Sequence, residues 1–133
     1  MIERGALEIL LEERREEAYE ALAGPLAAMR AAAARNDPSA MSDADQQFHE
    51  VLVESSASPR LQRAMRTLLA ETRMCLAALE PAYPRPRDIV EEHGAMLDAL
   101  ANGRRDEALE RIDAHMRRAE RKLGAVAEPD EGK

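Results

Sequence analysis

The sequence predicts an all-α protein, an antiparallel bundle of helices. Aromatic residues make up only 2% of the chain, with no tryptophan, so little in the composition favours a sheet. Apolar side chains, mostly Ala, Leu, Met, Val and Ile, recur at three- and four-residue spacing. Clusters of Gly, Pro, Asn and Ser divide these stretches into helix-length segments. At 133 residues the chain suits one domain, and short connections between helices favour a bundle.

The first helical pattern covers residues 3–23, with its leucines broadly on one side. Gly24-Pro25 interrupts the pattern, because proline removes a backbone donor and crowds the preceding turn. Pro25 also suits the first position of a continuing helix. The sequence is therefore compatible with one kinked helix or with two shorter helices. Asn36-Asp37-Pro38 ends this helical segment.

The middle of the chain contains two further helical patterns. The first covers about 42–55 with Ser42 as its N-cap. Ser58-Pro59 supplies the cap and first residue of the next, whose apolar side chains continue to Leu79. A loop follows, marked by three prolines, Pro81, Pro84 and Pro86.

The last two helices are predicted over about 87–101 and 105–122. Asn102-Gly103 is a good C-terminal stop between them. We expect a single helical domain over residues 1–124, followed by a flexible tail over 125–133.

Charge and composition exclude several classes of function. The net charge is -7 and the arginines are scattered among glutamates, so this chain alone is not expected to contact DNA. No apolar stretch approaches the ~20 residues that a membrane span requires. The single cysteine forbids an internal disulfide and fits a reducing cytoplasm. We expect a soluble, cytoplasmic protein without membrane contact.

The three histidines of the chain each fall on the apolar face of a separate predicted helix. Asp45 and His49 are four residues apart, so their side chains are neighbours on one face, which Phe48 and Leu52 share. The other two histidines lie in similar apolar rows, Ile89-His93-Met96-Leu97-Leu100 and Ala108-Ile112-His115-Ala119.

Two of these histidines lie at about the same distance from the turn that joins the last two predicted helices. His93 lies 10 residues before Gly103, and His115 lies 11 residues after Arg104. In an antiparallel helix pair, at ~1.5 Å rise per residue, both stand roughly 15 Å from the turn. The two side chains can therefore converge if the helix of His49 packs alongside.

A histidine on an apolar stripe is usually an ordinary core residue. Three of them with an inward aspartate are harder to explain in that way, because a lone buried carboxylate costs several kcal/mol unless a positive group pairs with it. A divalent cation would offset that cost for Asp45, and neutral imidazoles suit it as ligands. The pattern predicts a central metal site formed by Asp45, His49, His93 and His115.

An ordered set of motifs in this chain is similar to the conserved motifs of a known protein family. Residues 45–52, DQQFHEVL, resemble the family signature D-x-x-F-H-x-x-L. Residues 4–8 resemble its opening R-x-x-L-E, and residues 92–100 its E-H-x-x-I-x-x-A-I. Further similar segments are Ser56-Ala57-Ser58-Pro59-Arg60-Leu61, Asn102-Gly103-Arg104 and Ala114-His115-Met116. Over roughly residues 4 to 122 the chain thus resembles the FCD domain, the all-helical effector-binding domain of FadR-type regulators in the GntR transcription-factor family.

This resemblance implies that Asp45, His49, His93 and His115 bind a divalent metal, with zinc expected and nickel or manganese as alternatives. It also implies a small organic acid as effector, its carboxylate reaching the metal and an arginine. Arg4, which matches the opening arginine of the family, is the candidate for that arginine, and Arg73 is a weaker one. A homodimer is expected.

Members of the family place a winged helix-turn-helix before this domain, and the chain begins where the sensor would begin. The sequence is compatible with two interpretations, a stand-alone sensor and a piece of a longer regulator. The leading hypothesis is a metal-dependent effector-binding domain without enzymatic activity.

Two alternatives come from other classes of function. One is a metal-dependent hydrolase; against it, no H-E-x-x-H motif is present, and Glu92 is expected to point to a different helix face from His93. The other is a dimerisation partner that lacks DNA contacts and associates with full-length regulators.

Overall fold

The computed structural model describes residues 2–68 and 85–127, with side chains described as far as residue 117. These residues form six helices and no strand, so the predicted all-α class is confirmed. The helices are α1 (Ile2–Glu13), α2 (Arg15–Ala34), α3 (Pro38–Ser55), α4 (59–68 as described), α5 (Pro86–Ala101) and α6 (Arg105–Ala127). In the described part of the chain, none of them combines the length and apolar character that crossing a bilayer requires.

The first break in the chain falls at Arg14, and one helix continues through Gly24-Pro25, so the alternative of two shorter helices separated there is wrong. Arg14 has φ -140° and ψ 35°, outside the helical region, although its N–H still bonds to Leu10 at 3.0 Å. Pro25 lies buried inside α2. The kink redirects the chain, because α1 packs on α3 and α6 whereas α2 packs on α3 and α5.

Helix α3 begins four residues before its predicted start, and Asp37 caps it instead of Ser42. The Asp37 carboxylate accepts a hydrogen bond from the backbone N–H of Ala40 at 3.1 Å, and Pro38 opens the first turn. Asn36 adopts a left-handed φ of 51°, which lets the chain turn sharply out of α2. Ser42 is consequently a buried residue inside α3.

The remaining helix boundaries agree more closely with the prediction. Ser58 caps α4 by accepting a hydrogen bond from the N–H of Leu61 at 3.3 Å. Gly103, with φ 68°, ends α5 as predicted. Helix α6 runs to Ala127, beyond the predicted end near residue 122. The expected loop prolines Pro81 and Pro84, and the end of the tail at 128–133, lie outside the described residues.

A core of Leu, Met and Ala side chains joins α1, α2, α3, α5 and α6. Phe48 is fully buried at its centre, with Leu52 on the same helix and Ile112 on α6 also inaccessible to solvent. The rows predicted to face inward therefore do so as far as residue 117, where the description of side chains ends. The histidines and Asp45 continue these rows, so the core fixes the positions of their helices.

Candidate metal centre

The structure brings together the four side chains that the sequence pattern singles out. Asp45 and His49 come from α3, His93 from α5 and His115 from α6. One potential ligand atom from each lies within 4.8 Å of the others. They form a His/Asp cluster of the kind that can hold a metal ion.

The distances among the inward-facing atoms are short. Asp45 Oδ1 lies 3.2 Å from His49 Nε2 and 3.0 Å from His93 Nε2. His49 Nε2 lies 3.1 Å from His115 Nε2. Ligand atoms about 2.0–2.2 Å from one cation are themselves separated by about 3.0–3.5 Å, so these spacings suit a shared divalent ion.

Hydrogen bonds on the outer side of two rings determine which nitrogen carries hydrogen. His93 Nδ1 lies 2.8 Å from the carbonyl oxygen of Ile89, and His115 Nδ1 lies 2.8 Å from Glu92 Oε1. Both oxygens accept, so each Nδ1 donates, and in the neutral rings each Nε2 presents a lone pair to the cluster. These are the tautomers that a cation at Nε2 requires.

His93 Nε2 supplies the test of whether the residues fit a metal. The atom is buried and, although 3.0 Å from Asp45 Oδ1, makes no hydrogen bond of acceptable geometry. Phe48 packs edge-on against the ring, with 4.8 Å between ring centroids, so the nitrogen cannot easily turn elsewhere. A buried lone pair without a donor is destabilising in a metal-free protein, and a cation would satisfy it.

His49 differs from the other two rings on its outer side. Its Nδ1 is buried and makes no hydrogen bond within the described structure. The carboxylate of Glu3, in the first turn of α1, approaches this atom to 4.0 Å. Glu3 is itself only 4% exposed.

The electrostatics of the cluster favour positive charge at its centre. Burial opposes ionisation of Asp45, but the close approach of the His49 and His93 rings outweighs it and holds the aspartate pKa well below its ordinary value. Burial likewise opposes protonation of His49, but Asp45, Glu3 and Glu92 together raise its pKa. Burial lowers the pKa of His115 despite its bond to Glu92. A proton on His49 and a metal cation would therefore compete for the same place.

A small pocket opens beside the cluster. Its walls comprise the three histidines together with Glu92, Met96, Arg111 and Ile112. Arg111 contributes a guanidinium that is half-exposed and bonded to Glu107 at 2.9 Å. The pocket thus places the three histidines beside one guanidinium, one carboxylate and two apolar side chains.

The two arginines singled out as ligand candidates are placed differently. Arg4 forms ion pairs with Asp113 of α6 and, at 3.5 Å, with Glu8, and it is not among the residues lining the pocket. Arg73 lies outside the described residues. Their roles in ligand binding stay predictions.

Sequence reasoning missed Glu92 and Arg111 as residues of the site. Glu92 lies on a different helix face from His93, as expected, but it still reaches the site, because it bonds to His115 and lines the pocket. Successive helical residues are about 100° apart, so Glu92 can face α6 while His93 faces α3. Arg111 lies four residues before His115, a spacing that could have indicated a shared face.

Fold and site together define an all-helical domain with a three-histidine, one-aspartate cluster next to a small pocket. A family model described as FCD domain matches residues 1–118. The chain belongs to the FCD family, the regulatory effector-binding domains of GntR-type regulators. No curated protein and no solved structure matches the chain significantly.

Proposed function

We propose that this FCD domain binds a divalent metal ion through Asp45, His49, His93 and His115, and a small carboxylate effector in the adjacent pocket. The observation that carries the proposal is the buried Nε2 of His93. The Nδ1–H of this ring donates a hydrogen bond to the carbonyl oxygen of Ile89. The lone pair on Nε2 faces Asp45 and receives no hydrogen bond. A cation at the centre would satisfy this atom and the inward-facing Nε2 of His115 together.

Zinc is the metal that we expect, with nickel or manganese as alternatives. Three imidazole nitrogens and one carboxylate oxygen form a donor set that zinc commonly takes. When bound, the ion supplies a Lewis-acid position for a carboxylate oxygen of the effector. The protein residues orient that effector: Met96 and Ile112 give the pocket apolar walls, and Arg111 offers a positive charge.

Arg111 is the arginine that we expect to contact the effector. It lies one helical turn before His115, so its guanidinium and the cluster share one side of α6. Arginine also matches the planar, bidentate geometry of a carboxylate.

A thermal-shift screen of metal-loaded protein over small mono- and dicarboxylic acids would identify the ligand class. We expect Arg111→Ala to lose the shift and the exposed Arg117→Ala to keep it.

Metal analysis of protein purified without a histidine tag tests the metal site directly. After incubation with zinc and gel filtration, the wild type should retain about one equivalent, and His93→Ala should retain almost none. Glu91→Ala is the control, because Glu91 is exposed on the same helix. A wild type without metal, or a His93→Ala variant that retains a full equivalent, would contradict the proposal.

The regulatory role of the FCD family fits a domain without catalytic activity. Glu92, a carboxylate in the pocket, holds His115 through Oε1, which suits orientation of a ligand better than proton transfer. Sustained, metal-dependent hydrolysis of esters or amides would favour the enzyme alternative.

We also propose that the domain forms a homodimer. Sedimentation with and without EDTA would test this proposal. Association that does not change with EDTA would instead favour the alternative of a dimerisation partner that does not depend on metal.

A further inference from the structure

The three imidazoles of the cluster are not equally supported on their outer sides. His93 donates to Ile89 and His115 donates to Glu92, each across 2.8 Å. Histidine ligands of metals almost always have such an acceptor. His49 Nδ1, although buried, has no hydrogen-bond partner among the described residues.

Glu3 is the acidic group placed to fill this position. Its Oε1 lies 4.0 Å from His49 Nδ1, and its side chain is only 5% exposed. A buried carboxylate is costly without a positive or donating partner. The ion pair with His49 is the one that the structure records for Glu3 within residues 2–68 and 85–117.

We propose that Glu3 is a positioning residue of the metal site, accepting a hydrogen bond from His49 Nδ1–H when a cation occupies the cluster. The inference rests on the proposed function. With the Nε2 lone pair of His49 given to a metal, the single ring hydrogen is on Nδ1, directly facing Glu3. The positive ion polarises this N–H, and the present 4.0 Å separation then closes to a charge-assisted hydrogen bond of about 2.8 Å.

The same contact connects the metal site to the start of α1. Glu3 links α1 to His49 on α3, and the neighbouring Arg4 links it to Asp113 on α6, two residues before His115. Two of the three helices that supply ligands are therefore joined to a single turn of α1. Metal binding should order this turn and protect its backbone amides from hydrogen exchange.

The first test compares zinc affinity, by competition with a chromophoric chelator, between the wild type and two variants. Glu3→Gln removes the charge at nearly constant shape and should weaken zinc binding roughly 10- to 100-fold. Glu13→Gln, an exposed change on the same helix, should leave the affinity unchanged. Equal zinc affinity in all three proteins would overturn the role of Glu3 while leaving the metal site intact.

A second measurement uses the wild type, so that it does not depend on the folding of a variant. In ¹⁵N-resolved spectra of the zinc-loaded protein, His49 Nδ1–H should give a downfield resonance that exchanges slowly with solvent. Its appearance should coincide with zinc-dependent protection of the first turn of α1. A rapidly exchanging Nδ1–H, or unchanged protection of α1, would overturn the inference even when zinc binds fully. A wild type that binds no zinc would instead contradict the proposed function.

Discussion

His115 on α6 donates a hydrogen bond to Glu92 on α5, with 2.8 Å between Nδ1 and Oε1. The contact holds together two helices that each contribute a potential metal ligand, because His93 directly follows Glu92 in the sequence. It also fixes the tautomer of His115, so that Nε2 faces the centre of the cluster. A carboxylate in this position raises the basicity of an imidazole ligand and fixes its ring orientation.

Replacement of Glu92 by glutamine should weaken zinc binding roughly 10- to 100-fold. Glutamine keeps the size of the side chain but removes the charge that makes the imidazole a stronger donor to a metal. Competition titration with a chromophoric chelator gives the Kd. The matched control is Glu91→Gln, the same change at an exposed neighbouring position. If Glu92→Gln binds zinc as tightly as this control, the carboxylate has no part in the site.

Zinc should raise the melting temperature of the wild type but not that of Asp45→Asn. Free zinc at about 100 times its Kd stabilises the folded state by about 2.7 kcal/mol, which corresponds to a rise of roughly 10 °C for a domain of this size. Asparagine cannot replace the anionic oxygen that lies between His49 and His93. Differential scanning calorimetry with zinc and with EDTA measures the shift.

The control for this comparison is Asp43→Asn, because Asp43 is exposed on the same helix. It should show the full zinc-dependent rise. An Asp45→Asn variant with the same rise would place the stabilising zinc elsewhere on the molecule.

The positions of the four cluster residues follow from local geometry, which is why sequence reasoning could bring them together. The i, i+4 spacing of Asp45 and His49 fixes their relation on one helix. The distances of His93 and His115 from the turn at Gly103 fix their height along an antiparallel pair. These relations depend on helical geometry and on the polarity of each face, both of which the sequence displays.

No sequence pattern indicated the contacts that the histidines make on the side away from the centre of the cluster. Glu3 and His49 are 46 residues apart and Glu92 and His115 are 23 apart, and each contact depends on how two helices rotate against each other. The kink at Arg14 likewise follows from packing, because its neighbours are good helix formers that do not mark a break. Long-range packing thus decides the features that periodicity leaves open.

Zinc affinity should fall as the pH is lowered from about 8 to about 5.5, the range in which histidine charge changes. The metal must displace the proton from His49, whose pKa Asp45, Glu3 and Glu92 raise against the effect of burial. Below that pKa the affinity should fall at least about tenfold per pH unit, since each displaced proton contributes one such factor. Asp45, with its lowered pKa, stays ionised in this range.

In the metal-free protein, His49 contributes to folding stability with the opposite dependence on pH. A raised pKa in the folded state contributes stability that is present below the unfolded pKa and is lost as the pH rises through the folded one. The zinc-induced rise in melting temperature should therefore grow with pH. An affinity that stays constant across the range would show that no histidine proton is displaced and would contradict the site.

Two glycine substitutions should have opposite effects on stability. Gly103 has φ 68°, a backbone conformation that residues with a Cβ rarely adopt, so Gly103→Ala should destabilise the fold by about 1 kcal/mol. Gly94 lies inside α5, and a Cβ there would meet Arg30 and Leu26 only at ordinary contact distances of 3.8 and 3.9 Å. Gly94→Ala should therefore stabilise the fold by about 0.5–1 kcal/mol, through the better helix propensity of alanine. Urea unfolding of both variants measures the difference, and a Gly103→Ala variant as stable as the wild type would show that the turn between α5 and α6 does not require the left-handed conformation.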